Sequence, residues 1–162
     1  MSFPINLSPR YYSWVDFTPV VDTAIYAQND ILFIPALVRP ISWRIDQPAK
    51  LEQIVATDVD DDTALDIVLY FLDSASSTLG GAVNAGFAPS DAEAATVVTK
   101  YTITAASFVD IGGAKQAIVQ PGVYVKPVTG TRDVYCGATY TTAATPTYAS
   151  ASDLKFRFCF SS

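Results

Sequence analysis

The sequence predicts an all-β protein: a jelly-roll-like β-sandwich with one short helix near residues 89–95. Three observations carry that expectation. Of the 16 acidic residues, 14 are Asp and only Glu52 and Glu93 are Glu. Asp favours turns and caps, whereas Glu favours helix interiors. Thr, Val, Tyr and Phe are plentiful and Met, Glu and Lys are scarce, a strand-forming composition. Short apolar segments also alternate with turn signals roughly every ten residues, the spacing of a sandwich or barrel of about eight to ten strands. At 162 residues with no break in composition, the chain divides into an extended N-terminal arm, 1–18, and one sandwich domain, 19–162.

The elements follow in order. Residues 11–17 are aromatic and partly alternating, framed by Pro4, Pro9 and Pro19. Residues 31–38 are a near-continuous apolar run, expected as a buried strand bent or bulged at Pro35, which cannot donate to a ladder. The short stretch 41–45 follows Pro40. Residues 50–57 form the next strand, and the acidic stretch 58–62 is a turn by composition. Residues 65–73 are the strongest apolar run and should be a central strand. Residues 74–86, rich in Ser, Gly, Ala and Asn, are a long loop. Ser90 and Glu93 then have the spacing of a capping box, which predicts one or two helical turns. Strands resume at 97–104, 107–111, 115–119, 123–128 and 133–141. The last strand, 153–160, alternates cleanly: Leu154, Phe156, Phe158 and Phe160 on one face, Lys155, Arg157 and Cys159 on the other.

Composition excludes several function classes. The chain has no His. That removes every Ser-His-Asp or Cys-His triad, every His-ligated zinc site and any histidine switch. The net charge is −6, the wrong sign for gripping polyanionic nucleic acid. No run approaches the ~20 apolar residues of a membrane span, and Met1–Pro4 opens no signal peptide. The expectation is neither a nucleic-acid nor a membrane partner. Cys136 and Cys159 are expected as free, buried thiols, with a disulfide between them the alternative should their strands pair. Charged residues make up only 16% of the chain against the usual ~25%, which points to surface covered by partner subunits.

The candidates for chemistry are few. Asp58, Asp60 and Asp62 have the spacing of the first ligands of a calcium loop. Thr63 then stands where glycine is needed and Leu69 where a bidentate Glu belongs. They are candidates for a weak calcium or magnesium site, weighed against a solvated β-turn. Asp66 is expected at the start of its strand with its side chain outward. Gly80-Gly81 and Gly112-Gly113 lack the Lys-Ser/Thr ending of a phosphate loop. No cofactor and no catalytic residue are expected. Tyr11, Tyr12, Trp14 and Phe17 are the candidate contact residues for another subunit, with the 74–88 loop second.

The order of Ala24-Ile25-Tyr26-Ala27-Gln28-Asn29-Asp30-Ile31, Leu51 to Asp58, Leu69 to Asp73, Asn84 to Ala92 and Tyr148 to Phe156 resembles small virion proteins encoded among the head genes of tailed bacteriophages. Several of these resemble jelly-roll capsid decoration, or cement, proteins. The resemblance implies a non-enzymatic structural protein made in the host cytoplasm. It would be placed on the capsid surface of the virion, binding the major capsid protein and its own copies, as a trimer or a dimer. A carbohydrate- or receptor-binding jelly-roll module of a phage tail is the alternative, and a hydrolase with an Asp pair a more distant one.

Overall fold

A computed structural model describes residues 10–60, 65–143 and 145–162. It contains two packed antiparallel sheets, an all-β sandwich. Among the described residues the strands are β1 (Tyr12–Phe17), β2 (Ile31–Val38), β3 (Ala49–Asp58), β4 (Ile67–Leu72), β5 (Val97–Ile103), β6 (Phe108–Asp110), β7 (Lys115–Val119), β8 (Val123–Val125), β9 (Val134–Tyr140) and β10 (Leu154–Ser161). One sheet runs β1-β10-β3-β7-β6, with β8 also paired to β3; the other runs β2-β9-β4-β5. The pairs are nested: β1 with β10, β2 with β9, β3 with β7 and β8, β4 with β5. That is a long antiparallel ribbon rolled around one core, the jelly-roll arrangement.

The core is aromatic. Phe156, Phe158 and Phe160, alternating on β10, point inward beside Phe17, and Phe71 and Phe33 meet them from the second sheet. Pro35 lies in an irregular stretch of β2, whose pairing with β9 shifts register between Phe33 and Ala36. Asp66 immediately precedes β4, half-buried, and its Oδ1 accepts the Ala105 N–H at 2.6 Å.

The two outer faces differ, and the sequence pattern already encodes the difference. In the four-stranded sheet β2 and β4 are apolar at every position, and part of the outer face is covered, while Ile34, Leu37, Lys100 and Thr102 stay exposed. The segment between β4 and β5 lies over its outer side: Leu79, Ile31 and Leu72 form a second cluster joined by Tyr70, Phe87, Val97 and Tyr135. Gly137 makes room for this cover. A Cβ there would come within 2.8 Å of Leu79 Cδ1 and 3.0 Å of Pro35 Cγ. Strands β1 and β10 alternate instead, so the outer face of the six-stranded sheet meets water.

The expected arm divides. Residues 1–9 lie outside the described residues. Residues 12–17 are not an arm but an edge strand, paired along their length with β10 because Val15 and Phe17 have core to bury against. The stretch 41–45 is loop: Ile41 is buried, yet Trp43 and Ile45 on the same parity are exposed.

Candidate functional site

The four aromatics expected to act together go to three places. Phe17 is 7% exposed and packs against Phe33, Phe156 and Phe158; it belongs to the core rather than to a contact surface. Tyr12 and Trp14 project from the outer face of the six-stranded sheet. Tyr11 turns to one end of the sandwich, where its ring lies 5.0 Å from that of Trp43.

That end is built from three segments. Loop 39–47 is stitched to loop 128–133 by Ile41 N–H to Arg132 O (2.8 Å), Asp46 N–H to Thr131 O (2.9 Å) and Gly130 N–H to Asp46 Oδ1 (2.6 Å). The chain terminus joins them through Trp43 N–H to Ser162 Oγ (3.1 Å). On this frame Trp43 is 58% exposed, beside exposed Ile45. Arg39 and Arg132 line a depression with Ile45, and Arg44 is also exposed. None of the three arginines has an ion-pair partner among the described residues. Exposed Trp and Tyr with free Arg on a braced loop is the composition of an interaction hot spot. Sequence reasoning missed Trp43 because the 41–45 alternation imitates a strand. Pro40 and Pro48, bracketing only seven residues, were the signal against one.

The acidic turn is a local device. Asp58 ends β3, 5% exposed, and its Oδ1 accepts the Asp60 N–H at 3.1 Å; Asp60 Oδ2 accepts the Ala149 N–H at 2.9 Å. These bonds tie the turn to itself and to the 146–153 loop. Asp62 lies outside the described residues. Among the described residues no cluster of three or more His, Cys, Asp and Glu is placed to hold a metal.

The 74–88 loop is held by the helix that follows it. Helix α1 (Asp91–Ala94) carries the full capping box between Ser90 and Glu93. Glu93 Oε1 reaches further, accepting the Thr78 N–H at 2.8 Å and the Gly80 N–H at 3.4 Å. Gly80 is at φ 93°, and a Cβ there would run into the Ala88 carbonyl. These bonds, first from the Ser90 and Thr78 N–H groups, lower the Glu93 carboxyl to about 2. A carboxylate depressed in the folded state contributes stability above its unfolded pKa, and that contribution is lost as pH falls toward the folded value. The Thr78, Gly80 and Ser90 amide resonances should therefore shift together in an acid titration with a midpoint near 2. Midpoints near the free-Glu value of ~4.3 would show that Glu93 does not hold the loop.

Both cysteines are free and buried, on different sheets. Burial raises the pKa of both thiols, the reverse of an activated nucleophile. No helix among the described residues is long and apolar enough to cross a membrane. No protein-family model matches the chain, and neither does any curated protein sequence.

Proposed function

We propose that the protein is a non-enzymatic structural virion protein that binds the outside of a tailed-phage capsid and stabilises it. The observation that carries this reading is the end patch of Tyr11, Trp43 and Ile45 with unpaired Arg39, Arg44 and Arg132. Aromatic and Arg anchors concentrate binding energy when water is excluded around them. Their loops are cross-braced, so little ordering entropy is lost on docking. The nested sandwich supplies the rigid body that a clamp requires. The low charge fraction and the resemblance to head-gene products point the same way. Stabilisation follows by linkage: a ligand of the assembled shell that ignores its dissociated subunits raises the shell's stability by RT ln(1 + [L]/Kd) per site. Association of this protein's own copies into a closed trimer or dimer would multiply contacts with a symmetric shell.

The test is co-sedimentation with empty phage heads lacking the protein, followed by a thermal melt of the heads. Bound protein should raise the head melting temperature. Trp43→Ala should weaken binding by tenfold or more while the domain's own melting temperature stays within a few degrees. Binding to tails with heads unaffected would overturn the assignment.

A further inference from the structure

A second surface carries a different inference, independent of the capsid reading. Strand pairing lines up side chains in rows across the outer face of the six-stranded sheet. One row crosses four neighbouring strands: Tyr12 on β1 opposite Ser161 on β10, Ser161 opposite Lys50 on β3, and Lys50 opposite Tyr124 on β8. The next row runs Trp14, Cys159, Gln53. Large aromatics stand at the two flanks, Tyr12 and Trp14 about half exposed and Tyr124 69% exposed. Three strand spacings separate the flanks, roughly 14 Å.

Between them the floor is low and polar. Opposite Trp14 the side chain is the small Cys159, and Gly122 adds no side chain at all, so a depression opens between the aromatic wall and β3. Lys50 Nζ bonds Glu52 Oε2 at 2.9 Å, and Ser161 Oγ bonds Glu52 Oε1 at 2.7 Å. Lys50 and Glu52 offset each other, Arg10 lines the same depression as a second cation, and the Glu52 carboxylate is held in one orientation. It stands beside Gln53 at the irregularity where β3 slips register against β10. Gln53 and Gln120 line the same depression, and neither amide has a hydrogen-bond partner among the described residues. Each therefore offers a carbonyl acceptor and two N–H donors.

We propose that this trough binds a saccharide chain laid across the strands. A pyranose ring has one face of C–H groups and a rim of hydroxyls. The C–H face packs on an aromatic ring, whose negative face favours the partial positive charge of those hydrogens. The hydroxyls need donors and acceptors together, which free amides and a fixed carboxylate supply. A purely apolar ligand would strand the amides, Glu52 and the cations Lys50 and Arg10 that line the same depression. A short oligosaccharide matches both the flanking rings and the floor, and fits the span between them.

The test uses the full chain on an array of bacterial-surface and plant polysaccharides, followed by calorimetric titration with a hexasaccharide of the strongest hit. Saturable binding is expected. Trp14→Ala and, separately, Gln53→Ala should each weaken it tenfold or more with unchanged melting temperatures, since neither side chain is in the core. Trp14 and Trp43 are the two tryptophans, so in Trp43→Phe the fluorescence reports Trp14 alone and should change on titration. Trp43→Ala, which removes the end patch, should keep full saccharide affinity; that separates this site from capsid binding. No hit on the array, or hits that Trp14→Ala leaves at full affinity, would overturn the proposal.

Discussion

Replacing Phe158 by alanine should destabilise the protein by about 3–5 kcal/mol, among the largest losses available to a single side chain. Phe158 is fully buried at the centre of β10. Its ring meets Phe17 at 5.8 Å, Phe71 at 5.6 Å, stacked Phe156 at 5.8 Å and Phe160 at 6.1 Å. Truncation loses the transfer free energy of the ring and leaves a cavity whose walls belong to three strands in two sheets. Those walls are rigid, so collapse into the gap is limited. At this chain length each kcal/mol moves the melting temperature by about 2–4 °C; the expected fall is roughly 6–20 °C. Chemical denaturation of Phe158→Ala beside Phe158→Leu measures it. A loss below about 1 kcal/mol would mean that the two sheets do not close on this ring.

The alternation of β10 is also where the sequence was most legible. Leu154, Phe156, Phe158 and Phe160 could face only one way, and a half-exposed strand leaves that signature in full. Helix α1 was legible for a different reason: a capping box is local chemistry, complete within four residues. The sandwich class followed from composition and spacing. Three features were not legible. Phe17 and Trp14 lie three residues apart in one aromatic stretch, and only pairing with β10 decides which is core and which is surface. Residues 1–18 could pass for an arm because edge strands have few local marks; removal through residue 18 would strip all of β1 and take Phe17 from the core. The trough needs β1, β10, β3 and β8 side by side. Tyr12, Gln53 and Tyr124 are far apart in sequence, and no local pattern announces a register row.

Tyr26→Phe should cost about 1–3 kcal/mol, a large loss for the removal of one oxygen atom. The Tyr26 hydroxyl accepts the Asp22 N–H at 2.5 Å and donates to Leu32 O at 3.1 Å. The ring sits edge-on to Tyr140 and Tyr148, each 6.1 Å away, and Tyr140 Oη donates to Tyr26 O at 3.1 Å. Leu32, like Tyr26, is fully buried, so its carbonyl cannot simply turn to water. Loss of one member of a buried pair carries the desolvation cost of the group left behind. Burial also pushes the Tyr26 hydroxyl far above its usual range. Its folded form holds a proton that the unfolded chain releases near pH 10, so the contribution is complete below pH 10 and declines as pH rises beyond it. The wild-type protein should therefore lose stability above pH 10 more steeply than Tyr26→Phe. A double cycle with Tyr140→Phe should show coupling of at least 0.5 kcal/mol, as expected for neighbours in one network. Equal stability of wild type and Tyr26→Phe at pH 7, with parallel alkaline limbs, would show that the hydroxyl is not holding loop 21–26 to β2.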